Sequence, residues 1–176
     1  MNIEKPTIQR AEPDNAAFLA KLAEKTFRDA FARFINREDF ESYVAHSFTE
    51  NQIRTELLDS ASTFFIARIK DRWVGYAKLY QGPAPDCVRP LPTIELARLY
   101  LMQPYLGYGI GAALLEACIS YARGKAFKSI WLSSWQENHR GNAFYAKMQF
   151  ENLGTKTFAI GSDIQQDYIL VRPMRL

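Results

Sequence analysis

Residues 99–115, Leu-Tyr-Leu-Met-Gln-Pro-Tyr-Leu-Gly-Tyr-Gly-Ile-Gly-Ala-Ala-Leu-Leu, constrain this chain more than any other stretch. An apolar strand-like run meets a Pro-marked bend, three alternate glycines at 107, 109 and 111, and then an amphipathic helix. Glycines so close to a helix start uncover backbone N–H groups, and the helix N-terminus adds unpaired donors and a partial positive charge. The pattern predicts a strand–loop–helix unit with an anion cradle at its turn, whereas a merely flexible loop needs neither flanking element. A Walker loop requires Lys and Ser/Thr after its last glycine, but Ala112 and Ala113 follow Gly111, so that loop is excluded. A dinucleotide fingerprint at Gly107, Gly109 and Ala112 asks for an acid about 20 positions on. Ser129, Ile130 and Trp131 stand there, and the first acid beyond is Glu137.

At 176 residues, with 48% hydrophobic and 14% aromatic content, the chain has the means for one sizeable core and reads as a single domain, 1–176. A net charge of +3 with dispersed basic residues argues against nucleic acid as a partner. Arg37-Glu38-Asp39 and Lys70-Asp71-Arg72 mix their signs, as solvated surface does. The start, Met1-Asn-Ile-Glu-Lys-Pro6, lacks the apolar core of a signal peptide, and no apolar run reaches bilayer length, so a cytoplasmic protein without a membrane partner is expected. Cys118 falls on the apolar helix face of Ile110, Leu114, Leu115, Ile119 and Ala122, while Cys87 sits in a Pro-rich stretch. Neither they nor His46 and His139 show ligand spacing, and no metal is expected.

The coarse order is strand, helices, strands, helix, strand, helix, strands. A short strand at Thr7–Arg10 leads to a helix capped at Asp14 that carries Phe18, Leu19, Leu22 and Ala23 on one face and continues through Thr26–Ala32. Another helix runs from Thr49, with Thr49 and Gln52 spaced as a capping box. Thr63–Ile69 and Trp73–Tyr80 form a hairpin, and Thr93–Met102 feeds the glycine loop. The helix from Gly111 stops at Arg123-Gly124. Ser129–Trp135 is the next strand, Asn142–Met148 the next helix, and Phe158 and Tyr168–Val171 mark the last strands. Antiparallel strands flanking a strand–helix–strand unit predict an α+β domain with a mixed sheet.

Leu106-Gly-Tyr-Gly-Ile-Gly111 resembles the Q/R-x-x-G-x-G/A signature of the GNAT superfamily of acyl-CoA-dependent N-acyltransferases, with Leu106 where Gln or Arg is usual. Asn138-His-Arg-Gly-Asn-Ala-Phe-Tyr145-Ala-Lys-Met-Gln-Phe150 is similar to that family's N-x(4)-A-x-Y-x-K-x-G-F segment, departing at Gln149. The resemblance implies the GNAT fold: a central, mostly antiparallel mixed sheet of six to seven strands, about four flanking helices, and a splay between the fourth and fifth strands. It implies acetyl-CoA as co-substrate, held at the loop of Leu106, Gly107, Tyr108, Gly109, Ile110, Gly111 and Ala112, with Tyr108 covering the phosphates. Backbone groups of Leu99, Tyr100 and Leu101 would pair with the pantetheine amides as one strand pairs with another. Asn138 would meet the pantetheine arm, cap its own helix, or both; Lys147 would reach a coenzyme phosphate or stand solvated.

The implied chemistry is acetyl transfer from a thioester to a primary amine. At pH 7 only about one alkylamine in 10³ is unprotonated, a deficit of roughly 4–5 kcal/mol that a base relieves. Glu95, on the strand entering the cradle, is the candidate base, or else an edge carboxylate. Tyr145 matches the family's proton donor to the departing thiolate, or else packs beside Phe144 as a core tyrosine.

Further blocks resemble the Pai-type polyamine N-acetyltransferases: Thr26–Phe31, Phe48–Ile53, Val74–Leu79, Ile130–Glu137 and Phe144–Phe150. They imply a spermidine- or spermine-like acceptor, held by aromatic faces and carboxylates. Phe31, Trp135 and Glu137 are the candidates, with Glu38 and Asp39 as further carboxylates. Two other readings stand beside it: an acetyltransferase of protein N-termini or lysines, and a GNAT domain that binds acyl-CoA without turnover. The resemblance leaves monomer and homodimer both open.

Overall fold

The computed structural model describes residues 4–174. Seven strands form one sheet: β1 (Thr7–Arg10), β2 (Ser62–Ile69), β3 (Arg72–Tyr80), β4 (Thr93–Leu101), β5 (Ser129–Trp135), β6 (Glu151–Ile160) and β7 (Asp163–Pro173). Their spatial order is β1-β2-β3-β4-β5-β7-β6. Every neighbouring pair is antiparallel except β4 with β5. The helices are α1 (Ala16–Phe31), α2 (Arg37–Ser47), α3 (Glu50–Leu58), α4 (Ile110–Gly124) and α5 (His139–Lys147). This is the mixed, mostly antiparallel architecture that the sequence led us to expect, with five helices where about four were anticipated.

The additional helix is α2. Its first turn, Arg37-Glu38-Asp39, reads as solvated surface in the sequence, but the Asn36 side chain accepts hydrogen bonds from the backbone N–H groups of Glu38 (2.9 Å) and Asp39 (3.5 Å). Those bonds satisfy donors that a helix start leaves free, and Phe40 and Val44 are buried behind them. Asp14 lies within a single 3₁₀ turn, Pro13–Asn15, and α1 begins after it with Asn15 at the cap position. Phe18 faces away from the core and packs against Trp73, with ring centroids 5.8 Å apart. Thr49 caps α3 by accepting from the Gln52 N–H at 3.1 Å, but the Gln52 side chain donates to Glu56 instead of closing the box. The turn after α4 is made by Ala126, at φ 61°, not by Gly124. The last two strands are longer than the sequence suggested, and α5 starts three residues earlier.

Two apolar layers sandwich the sheet. On one face α4 buries Ile110, Leu114, Leu115 and Cys118 against Ala77, Leu79 and Ile94. On the other, α1–α3 bury Leu19, Phe27, Phe40 and Ile53 against Phe64, Ile66 and Tyr76. The β4–β5 ladder carries three rungs only: Thr93–Ser129, Ile94–Ile130 and Glu95–Trp131. Beyond Glu95 both strands continue without pairing to each other, β4 to Leu101 and β5 to Trp135. The register shift between Lys78 and Leu79 leaves Ala97 as an extra residue in β4, and such a bulge sharpens local twist. It also resets the alternation, so Glu95, Arg98 and Tyr100 face the α1–α3 side together, opposite Tyr80, Lys78 and Tyr76.

Candidate active site

The sheet opens into a cavity of about 250 Å³ at the splay. It is lined from both faces: Leu99, Ser134, Asn138 and Tyr145 reach it from the α4–α5 side, and Phe31, Glu95, Trp135 and Asp167 are among those reaching it from the other. A group held on one face can therefore meet a group held on the other through the gap between β4 and β5.

The cradle lies at the end of β4. Gly107 and Gly109 take φ of 90° and 79°, the left-handed region that side chains disfavour. Gly109 occupies the cap position of α4, and a Cβ there would find nothing within 4 Å. Gly111 has a different reason: it packs on Leu101 and Phe144, whose atoms lie 3.6 Å from where its Cβ would stand. The first helical hydrogen bond runs from the Ala113 N–H to Gly109 O at 3.0 Å. The N–H groups of Ile110, Gly111 and Ala112 precede it, so they have no intrahelical acceptor. Leu106 is not such a donor, because its N–H is spent on Gln103 O at 3.2 Å. Tyr108 is exposed over the loop. The open space beside Gly109 and the free N–H groups of Ile110, Gly111 and Ala112 suit a pyrophosphate, and α4 adds its positive end.

Helix α5 brings the second set. Asn138 caps it by accepting from the Gly141 N–H at 3.1 Å, leaving its amide N–H₂ for the cavity it lines. Asn142, which sequence reasoning did not single out, staples the helix to the end of β5: it accepts from Ser134 Oγ (2.7 Å) and donates to the carbonyls of Trp135 (3.1 Å) and Gln136 (3.0 Å). The Tyr145 ring is wedged between Phe144 and Phe150, at centroid distances of 5.2 and 5.6 Å. Burial pushes its phenol well above the ordinary tyrosine range, so it stays protonated at neutral pH. A thiolate leaving into the same surroundings gains proton affinity for the same reason. Lys147 is exposed on the last turn of α5, beside Ala112, Ala113 and Arg172 at a shallow groove. Arg140, also unanticipated, has its guanidinium 3.8 Å from where a Cβ of Gly107 would stand. Its only signal in the sequence is a basic residue two positions after Asn138.

On the opposite face the structure redistributes the expected carboxylates. Glu95 lines the cavity; burial raises its pKa, against the opposing pull of Lys156 and Lys78. Phe31 and Trp135 also line it, with ring centroids 6.4 Å apart. Glu137 is exposed outside the cavity, its carboxylate 3.5 Å from His139 Nε2. Glu38 is exposed on α2. Asp39 is committed to Ser162, accepting from its N–H at 2.9 Å and its hydroxyl at 2.6 Å, which lowers its pKa. The second cavity carboxylate is Asp167 of β7, 6% exposed and raised by burial, with Lys156 and the Ser133 hydroxyl acting against the rise. No stretch of sequence pairs Asp167 with Glu95; the strand order does.

Beneath the cavity Glu56 accepts from Arg98 (2.8 and 3.2 Å) and from Lys78 (2.9 Å), tying α3 to β3 and β4. Among the described residues no group of three or more His, Cys, Asp or Glu is arranged to hold a metal. Nor is any helix there long and apolar enough to cross a membrane.

The family model described as the acetyltransferase (GNAT) family matches residues 21–150. An uncharacterized N-acetyltransferase of Mycobacterium tuberculosis is 33% identical over 156 residues, covering 89% of this chain and 96% of the relative. The crystal structure of the PaiA N-acetyltransferase from Thermoplasma acidophilum in complex with coenzyme A superposes with a TM-score of 0.80 at 21% identity, covering 97% of this chain and all (100%) of that one. Arabidopsis thaliana NAA60 in complex with a bisubstrate analogue gives 0.68 at 16% identity, covering 96% and 98%. With its glycine cradle, its splayed sheet and a family match over most of its length, the chain belongs to the GNAT acetyltransferase family.

Proposed function

We propose that this protein transfers the acetyl group of acetyl-CoA directly to the primary amine of a small substrate. The observation that carries the reading is the single cavity through the splay, with Tyr145 and Asn138 on one side and Glu95 on the other. Acetyl-CoA supplies an activated thioester. The residues of this chain supply the rest. The N–H groups of Gly107, Gly109, Ile110, Gly111 and Ala112 bind the pyrophosphate, and the unpaired edge of β4 from Leu99 to Leu101 aligns the pantetheine arm. Glu95 accepts the proton that an alkylammonium must lose before its nitrogen forms the amide bond. The Tyr145 phenol donates a proton to the sulfur as its bond to carbon breaks, and the second proton that the nitrogen sheds on becoming an amide restores the phenol. Both groups line the same cavity, so these proton transfers are local.

The resemblance of five sequence blocks to the Pai-type enzymes supports a polyamine acceptor, as do the aromatic faces of Phe31 and Trp135. The carboxylates first assigned to that role lie outside the cavity or are already bonded. A thiol-release assay with acetyl-CoA and a panel of primary amines tests the function. Turnover with a small amine is the expected result. Binding of acetyl-CoA without thiol release on any amine would identify a non-catalytic acyl-CoA-binding domain instead, and a peptide outcompeting every small amine would make it a peptide acetyltransferase.

A further inference from the structure

Six acidic and basic side chains line or underlie the acceptor half of the cavity, and they balance: Glu56, Glu95 and Asp167 against Lys78, Arg98 and Lys156. Lys78 and Arg98 are spent on Glu56. Lys156 differs. It stands on β6 with its ammonium 5.8 Å from the centre of the Trp131 ring and forms no ion pair among the described residues. It lines the same cavity as Glu95 and Asp167 and stands directly across from Asp167 in the β6–β7 ladder. An ammonium entering the cavity competes with Lys156 for those carboxylates. A polycation would also bring several further charges into a site whose own charges already balance, with no anion left to meet them. An anionic group on the incoming molecule resolves both difficulties, because Lys156 then exchanges its carboxylate neighbours for a partner of its own.

We infer that the acceptor is a small zwitterion of the α-amino-acid type, its ammonium facing Glu95 and Asp167 and its carboxylate held by Lys156. The inference rests on the acetyltransferase reading of the same cavity. Size and lining agree with it: about 250 Å³ suits a small metabolite rather than a drug-sized ligand. The rings of Phe31, Trp135 and Phe158 offer an apolar side chain its contacts.

The test compares amino acids with their decarboxylated amines (phenylalanine with phenethylamine, leucine with isopentylamine, histidine with histamine) together with spermidine, by thiol release from acetyl-CoA. In the wild type the best amino acid should exceed its own amine in kcat/KM by about tenfold, the discrimination one well-placed charge pair provides. Lys156→Met, which keeps the aliphatic stem over Trp131, should lower that ratio by about tenfold, and Lys156→Arg should retain it. The two amines differ in basicity, but that difference is the same in wild type and variant, so the change in the ratio is the decisive reading. Preference for the decarboxylated amine or for spermidine, or a ratio indifferent to Lys156→Met, overturns the inference and leaves the acetyltransferase intact. Thiol release with no member of the panel overturns both. Should the methionine variant not fold, Lys156→Gln supplies the same comparison.

Discussion

Glu95 sits on the last rung that β4 shares with β5, the one point where a strand residue can be held firmly and still face the opening. Its surroundings lift its pKa chiefly by burial, so the base limb of kcat/KM should lie above the ordinary carboxylate range and activity should fall as pH drops through it. A carboxyl whose native pKa exceeds its unfolded one favours the fold while protonated. That contribution is complete below the unfolded value and is lost as pH rises through the native one. Glu95→Gln is neutral at every pH. It should melt higher than wild type at pH 8 and match it at pH 4, while kcat/KM falls by about 10²–10⁴-fold and its acid limb disappears. Calorimetry and a pH–rate profile check both halves, and a variant no more stable at pH 8 would mean that Glu95 ionises without strain. Tyr145 makes the complementary case. It serves only as the sulfur departs, so Tyr145→Phe should lower kcat by roughly 10²–10⁴-fold while acetyl-CoA affinity changes little. If kcat stayed within about threefold of wild type, the phenol would be a packing group for Phe144 and Phe150.

At the scale of elements, the glycine loop shows what a sequence exposes and what it hides. Gly109→Val places a branched side chain at a φ of 79° and in the open space of the cradle, so acetyl-CoA affinity should drop at least about tenfold in a folded protein. Gly111→Ala meets only ordinary packing at 3.6 Å and no positive φ; its affinity should stay near wild type. Equal losses at the two positions, measured by calorimetry, would put the phosphates elsewhere. The loop was legible because its signal is local: three glycines in five residues between a strand and a helix. The bounds of β5 were legible for the same reason, an apolar run closed by turn residues. Helix α2 was not, since only Phe40 and Val44 among its residues are buried, too few to show a helical period against its charged first turn. Asp167 and Lys156 were hidden for a different reason. Lys156 lies on a strand that alternates between half-buried and exposed positions and Asp167 is a lone buried carboxylate among polar neighbours, and their approach to Glu95 exists only because β7 pairs with β5 and β6 follows it. The splay is hidden most deeply, because it is pairing that does not form.

Across the whole molecule, the sheet is held between an apolar layer under α4 and an apolar layer under α1–α3, and the cavity exists where the second layer is interrupted by charge. Glu56 makes that interruption tolerable. Burial opposes its ionisation, but Arg98 and Lys78 outweigh the burial and hold its pKa below the usual carboxylate range. A carboxylate of that kind contributes stability above its unfolded pKa and loses it as pH falls through the lowered native value. Glu56→Gln would leave Arg98 and Lys78 buried without an anion, a change that costs about 3–5 kcal/mol where such pairs have been broken. The exposed pair of Arg54 with Glu50, 3.0 Å apart on the outer surface of α3, is the matched control: Arg54→Ala should move stability by less than about 1 kcal/mol. Because Arg98 also lines the cavity, the Glu56 variant should lose acceptor affinity at temperatures where it is still folded, with acetyl-CoA affinity retained at the glycine cradle. Urea denaturation at pH 7 and pH 3.5 reads the first effect, which should shrink at the lower pH, and the split between acceptor KM and coenzyme Kd reads the second. A variant as stable as Arg54→Ala, or one that weakens coenzyme and acceptor alike, would show that the triad does not brace the acceptor wall.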